Sequence, residues 1–397
     1  MSESWQGRTF EIEVGPVAHG GHCVSRVDGR VVFMRHALPG ERVLAEVTED
    51  AGKSFCRADA VKVLSASPQR VTPPCPVAGP GLCGGCDWQH AAADAQLDLK
   101  AAVVSEQLRR LAGIERPVRV EALPGGLLRW RTRVRFVAAQ DGRAGLRAHR
   151  SHRIVPLTDC PITTTAAVRA VLPRRWGPGN EIEVTSDSDG QVHVREAGEQ
   201  RVGGVAVQRA AGRRWRLSAH GFWQVHPEAA ETFASVVDQW AEASRDGLAW
   251  DLYAGAGLFA GVLAQQVGVG GRVLAVEADR RAVADGEANT AGAPQVRWRR
   301  GAVERVLRES RGRSNRRHER PEVVVLDPPR KGAGKAVVEA VSGARPERVV
   351  YVACDPAALA RDLATFAARG YRLDRLRAFD AFPMTHHVEC IALLRRG

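Results

Sequence analysis

Cys354, in YVACDPAALARD, closes an apolar run of strand character and stands directly before Asp355-Pro356 and a helical pattern. Open α/β sheets display reactive groups at such strand ends, so Cys354 is a candidate nucleophile. The competing reading is an inert buried thiol. Glu389, in FPMTHHVECIALL, lies in an otherwise apolar run that would raise its proton affinity. It is a candidate proton acceptor, against the alternative of a solvent-facing strand carboxylate.

A second constellation has the features of a nucleotide-type pocket. DLYAGAGLFA places Asp251 at a strand end, with Gly255 and Gly257 ahead of a helix, where glycine permits a tight turn and close ligand approach. The spacing Gly255-x-Gly257-x-x-Ala260 also satisfies a loose dinucleotide pattern. Glu277, ending RVLAVE, is spaced to bind ribose hydroxyls of either NAD or S-adenosylmethionine. VVLDPPRKG weighs toward the second: Asp327 ends another strand, and Pro328-Pro329 stiffens a turn beside a pocket, as in methyltransferases more than dehydrogenases. Asp327 could alternatively be a helix cap.

Cys75, Cys83 and Cys86 lie in CPVAGPGLCGGC, and Cys160 follows in LTDCPI. Four thiolates can close a zinc site or hold an iron-sulfur cluster, and spacing alone leaves both open.

The elements that must position these groups fall into three stretches. Residues 1–68 show short β-patterned runs (FEIEV, RVVFM, RVLAEVTE, RADAVKVL) between Gly-rich turns, as in a small β-barrel. Residues 69–210 carry the cysteines, a helix expected over about 91–112, and then mainly β-structure. Residues 211–397 alternate helices with short apolar strands (LAWDLYAG, RVLAVEAD, EVVVLDPP, RVVYVACD), which predicts a parallel sheet covered by helices. The expected fold class is therefore multidomain α/β, with an OB-like barrel, a central α+β domain and a Rossmann-like sheet.

The chain has 397 residues, a net charge of +12 and eight cysteines scattered along it, which does not suggest a disulfide scaffold. No apolar run reaches the roughly 18 residues of a membrane span, and MSESWQGRTF has no secretory pattern. A cytoplasmic protein without membrane association is expected. The charge suggests a polyanionic partner. It is uneven: residues 1–70 are neutral, whereas Arg129–Arg153 and Arg297–Arg320 each carry +7. In LRWRTRVRF, Arg129, Arg131, Arg133 and Arg135 alternate at the strand period, predicting a guanidinium face suited to phosphates or merely to solvent. RESRGRSNRRHER reads as either a basic patch or a flexible insertion.

Thiolate addition to C6 of uracil would create an enolate whose C5 can attack a methyl sulfonium, after which a base must remove the C5 proton. Cys354 and Glu389 suit those two tasks. Taken in order, VGPVAHGGHCVSRVDGRVVFMRHALPGE, the four cysteines, GFWQVHPEAAE, DLYAGAGLFA, LDPPR, ACDP and the segment around Glu389 resemble the TRAM-domain RNA uracil-5-methyltransferases over nearly the whole chain. The resemblance implies an enzyme that modifies rRNA or tRNA, with Gln224, Tyr253, Gly255, Glu277 and Asp327 contacting S-adenosylmethionine. It implies Cys354 as nucleophile and Glu389 as proton acceptor. For Cys75, Cys83, Cys86 and Cys160 it implies a 4Fe-4S cluster with a folding or RNA-binding role. RNA is the implied partner, and no protein partner is implied. The chain departs from the family pattern in a longer gap between Cys75 and Cys83, in His226, in Leu258 and in ACDP for SCNP. A noncatalytic RNA-binding or ribosome-assembly protein on the same fold is the alternative.

Overall fold

A computed structural model describes residues 4–52, 54–197, 204–311 and 320–397. Most of RESRGRSNRRHER therefore lies outside the described residues. Five strands, β1 (Thr9–Glu13), β2 (Cys23–Val27), β3 (Arg30–Arg35), β4 (Arg42–Glu49) and β5 (Phe55–Ser65), form one sheet in the order β1-β4-β5-β3-β2. Alternation carries Val32, Met34, Val43, Ala45, Val47, Cys56 and Ala58 into a core closed by Trp5 and Ile12.

Helix α1 (Ala93–Gln107) widens into a π-wound turn at Leu108–Ala112 and stops at Gly113, whose φ of 65° ends it as a left-handed cap. The short strand β6 (Val120–Ala122) follows and joins the C-terminal sheet, parallel to its edge. Leu108 and Val120 pack in the same core as that sheet. Residues 104–122, grouped by sequence pattern with the central domain, thus pack with the C-terminal one, whereas Ala95 and Leu99 at the start of α1 pack with Leu38 and Trp88. The central sheet contains β7 (Arg133–Ala138), β8 (Ala144–Arg147), β9 (Ile154–Pro156), β10 (Glu181–Ser186) and β11 (Val192–Glu196), in the order β11-β10-β7-β8-β9, with helix α2 (Thr165–Val171). A hairpin of β12 (Val205–Ala210) and β13 (Arg213–Ser218) spans the boundary expected at residue 210. Its Ala210, Trp215 and Leu217 are buried in the C-terminal core, so the hairpin belongs there.

The remaining elements are α3 (Ala229–Ala241), β14 (Leu248–Leu252), α4 (Leu258–Val267), β15 (Arg272–Glu277), α5 (Arg280–Asn289), β16 (Val296–Arg300), α6 (Val303–Arg311), β17 (Val323–Leu326), α7 (Gly334–Ala344), β18 (Arg348–Ala353), α8 (Pro356–Ala367), β19 (Tyr371–Asp380) and β20 (Glu389–Arg396). The sheet order is β16-β15-β14-β17-β18-β20-β19-β6. Strands β14 to β18 are parallel, and β20 runs antiparallel to both β18 and β19. Alternate residues feed opposite faces. Ala249, Val323, Val325, Val350 and Val352 pack with Phe233, Val237 and Leu263, whereas Trp250, Leu252, Val324, Leu326 and Val349 pack with Val337, Val341, Leu363 and Phe366. Burial on both faces explains why VVVL is apolar throughout. Among the described residues no helix is long and apolar enough to cross a membrane.

Candidate active site

Strand order reverses at β14: β15 and β16 lie on one side, β17 and β18 on the other. A crevice opens at the carboxyl ends of strands at such a switch point. Here it is a cavity of about 930 Å³ whose lining includes Gln224, Tyr253, Gly255, Glu277, Asp327, Cys354 and Glu389. The seven candidate catalytic and cofactor residues, scattered over 166 positions, thus meet in one place.

At one end the backbone turns sharply. Tyr253, Gly255 and Gly257 have φ of 68°, 53° and 93°, and a Cβ on Gly257 would sit 3.1 Å from the Trp298 ring. That position needs glycine for both backbone and space. Glu277 braces the turn: one carboxyl oxygen accepts from Gly255 N at 3.0 Å, the other from Ala278 N and Asp279 N at 2.6 and 2.8 Å. The oxygen that accepts only from Gly255 N has lone-pair capacity left for a ligand hydroxyl. Asp251, beneath the turn, is fully buried, and among the described residues its carboxyl has only a marginal contact with the Ala260 backbone N–H, too weak to form a regular hydrogen bond. Burial, with Asp327 and Glu277 nearby, pushes its proton affinity up to about 8. Asp327 opens onto the cavity, but surrounding protein, aided by Glu277, pushes it up to about 7.

At the other end Asp355 caps α8 by accepting from Ala358 N at 2.7 Å, with Pro356 in the first turn. This fixes the strand-to-helix corner that presents Cys354. Glu389 comes from the facing strand: Ala353 pairs with Cys390 in the β18–β20 register, so the next step places Glu389 opposite Cys354. Burial first, then Glu389 and Asp327, push the Cys354 thiol up to about 12. Burial likewise holds Glu389, only 4% exposed, well above the carboxylate range, with Asp327 adding to it. The resting site therefore holds a neutral thiol beside a neutral acid. Arg330 Nη2 lies 2.9 Å from His387 Nε2, and burial lowers His387 to about 3, so the neutral imidazole accepts from the guanidinium. Sequence reasoning passed over both, although Arg330 completes DPPR and His387 stands two residues before Glu389.

Cys75, Cys83, Cys86 and Cys160 line one small pocket with Leu146, Leu157 and Ile162. Polar groups are aimed at the sulfurs: Gln89 Nε2 at Cys86 (3.1 Å), Thr163 Oγ1 at Cys160 (3.1 Å) and Gly85 N at Cys83 (3.4 Å). Among the described residues no group of three or more such side chains is gathered tightly enough to hold a metal ion as it stands. The thiols share a pocket without converging on a point.

The arginine face expected for phosphate is not what the strand presents. Strand β7 starts only at Arg133. Arg129 is paired with Asp159 at 2.7 Å and Arg135 with Glu183 at 2.8 Å. Arg133 is half-buried beneath the 219–221 loop, donating to the carbonyls of Ala219 and Gly221, and desolvation lowers it to about 10. Alternation aligned the side chains, but loop and carboxylates cover three of the four.

The fold and pocket define a Rossmann-like sheet with a cavity at its switch point, and comparison with known proteins gives the class. Residues 214–397 match the tRNA (Uracil-5-)-methyltransferase model and residues 3–61 the TRAM domain. The chain is 46% identical to an uncharacterized RNA methyltransferase of Streptomyces coelicolor, covering 98% of this chain and 93% of that one. A corresponding protein of Bifidobacterium longum is 37% identical over 97% and 96% of the two chains. The Pyrococcus abyssi tRNA (uracil-54, C5)-methyltransferase, solved with S-adenosyl-L-homocysteine, has the same fold, with a TM-score of 0.72 at 21% identity over 97% of this chain and all of that one. This chain belongs to the TRAM-containing RNA (uracil-5-)-methyltransferase family and is an enzyme of that class.

Proposed function

We propose that the protein transfers a methyl group from S-adenosylmethionine to C5 of a uridine in rRNA or tRNA through a covalent adduct with Cys354. The observation that carries this reading is the meeting of Cys354 and Glu389 across β18 and β20 in the cavity that Glu277, Gly255 and Asp327 also line. The turn at 253–257 and the Glu277 carboxylate suit the nucleoside part, with Gln224, Tyr253 and Asp327 around the rest. Bound there, S-adenosylmethionine supplies an electrophilic methyl on a sulfonium, leaving as S-adenosylhomocysteine.

Cys354 loses its proton to water in the cavity and adds to C6 of the uracil, placing the electron pair on C5 as part of an enolate. C5 takes the methyl. Glu389 then accepts the C5 proton, the C5–C6 double bond reforms and the C6–sulfur bond breaks, returning the thiolate. Glu389 must be ionised for that step, so the site works once cationic charge in the cavity offsets the burial that keeps its carboxyl protonated.

The four-thiol donor set, the apolar lining and the donors aimed at sulfur have the chemistry a 4Fe-4S cluster takes, and Cys75, Cys83, Cys86 and Cys160 would hold it by drawing together from the positions they occupy here. Such a cluster would cross-link the 75–86 loop to the segment at Cys160.

The test is incubation of unmodified RNA with methyl-labelled S-adenosylmethionine, followed by nucleoside mass spectrometry. Labelled 5-methyluridine, absent with Cys354→Ala, is expected. Label only in other nucleosides, or none, overturns the reading.

A further inference from the structure

The segment that delivers Glu389, residues 381–388, is held from outside its own sheet. Met384 O accepts from Asp87 N (2.9 Å) and Trp88 N (3.0 Å), and Met384 N donates to Gln96 Oε1 at 2.8 Å. Asp87 also reaches further along the segment. Its Oδ2 accepts from His386 N at 3.1 Å and lies 2.7 Å from His386 Nδ1, while Arg35 Nη2 on β3 donates to Oδ1 at 3.3 Å. One carboxylate thus joins three regions distant in sequence: the N-terminal sheet, the residue after Cys86, and a segment 299 positions away. The packing is close on the N-terminal side too, for a Cβ on Gly21 would sit 2.7 Å from His386 Cβ.

What the carboxylate holds leads directly into the cavity. The His386 ring lies against His387, centroids 4.1 Å apart, and His387 lines the cavity beside Cys354 and meets Arg330. Glu389 follows two residues later. The cofactor end, by contrast, is built by Gln224, Tyr253, Gly255 and Glu277 on other loops.

We infer that Asp87 is a positioning residue for the proton-acceptor step, fixing the 385–388 segment so that Glu389 and His387 face the reacting base. The inference rests on the proposed role of Glu389. Addition by Cys354 and methyl transfer depend on the β18–α8 corner and the cofactor loops, which Asp87 does not touch. Elimination depends on Glu389. Releasing the segment should therefore slow the last step selectively, and a displacement on the order of 1 Å can cost about 100-fold.

The experiment uses the full chain, purified anaerobically, with target RNA and S-adenosylmethionine. Asp87→Ala is expected to lower turnover by about tenfold to 100-fold and to accumulate a methylated protein–RNA adduct on denaturing gels, with unchanged affinity for the methyl donor. Asp87→Asn, which keeps an acceptor for His386 N–H, should recover most of the rate. His386→Ala, away from the cysteines, should also raise the adduct with iron content unchanged, separating this effect from damage at Cys86. Asp87→Ala with normal turnover and no adduct overturns the inference. So does a fall in rate matched by falling donor affinity and iron content without adduct, the signature of general misfolding. A wild-type protein that makes no 5-methyluridine overturns the functional reading and this inference with it; a competent wild type beside an indistinguishable Asp87→Ala overturns this inference alone.

Discussion

Asp251→Asn should flatten the pH dependence of the ligand-free protein's stability between about pH 4 and pH 8. The native carboxyl is moved from 3.8 to about 8 by burial. The folded chain therefore keeps a proton that the unfolded chain releases above its lower value, so the contribution is full below pH 4 and declines as pH rises toward 8. At about 1.4 kcal/mol per tenfold, the full interval corresponds to roughly 6 kcal/mol, an upper figure for one group coupled to Asp327. Asp327, raised to about 7, loses stability in the same direction over most of the same interval. Urea unfolding at pH 5, 6.5 and 8 would measure it. The difference between wild type and variant is decisive, because carboxylates elsewhere, such as Asp50 beside Arg30, shift the opposite way and cancel in it. The wild type should lose several kcal/mol more than the variant from pH 5 to pH 8. Parallel curves would refute the claim that Asp251 is a protonated acid beneath the cofactor turn.

Lys100 is fully buried, 2.5 Å from Asp380, and donates to Phe382 O at 3.1 Å. Lys100→Met should cost about 3 to 5 kcal/mol in chemical denaturation because Asp380 is left buried and unpaired, and adding Asp380→Asn should restore part of it. Arg133→Ala should weaken methyl-donor binding through the 219–221 loop while leaving the salt slope of RNA affinity unchanged; Arg147→Ala, at the end of β8, and Arg150→Ala, in the turn after it, should reduce that slope by about one each if these exposed side chains exchange Glu181 and Glu49 for phosphates. In kinetic assays kcat should rise with pH from 6 toward 9, since Cys354 and Glu389 both hold protons at rest and both must lose them; a rate that falls over this range would contradict those assignments. Cys160→Ala should lower the iron content of anaerobically purified protein; unchanged stoichiometric iron would remove Cys160 from the proposed ligand set.

The cavity-lining end of the C-terminal sheet was legible because its signals are short and local. A buried parallel strand is apolar along its whole length, and each of LAWDL, RVLAVE, VVVL and RVVYVA ends on or just before a polar group facing the cavity. Strand β6 was not legible: VEA has no periodicity, and its partner β19 lies more than 250 residues away. The hairpin at 205–218 looked like a continuation of the central β-run because strand pattern does not say which core a strand enters. The arginine alternation revealed a shared face but not that Asp159, Glu183 and a distant loop would cover it. Asp87 and His386 were hidden for the same reason, since a single polar contact across 299 positions leaves no local trace.

The most direct measurement is adduct trapping with Cys354 and Glu389 variants on the same RNA, read by denaturing gel and mass spectrometry. Glu389→Gln should complete addition and methyl transfer, then stall with a methylated RNA–protein adduct, its turnover lowered by about 10² to 10⁴. Cys354→Ala should form no adduct and no 5-methyluridine while still binding S-adenosylmethionine. Normal turnover by Cys354→Ala, or a Glu389→Gln protein that turns over at the wild-type rate without adduct, would contradict the covalent mechanism.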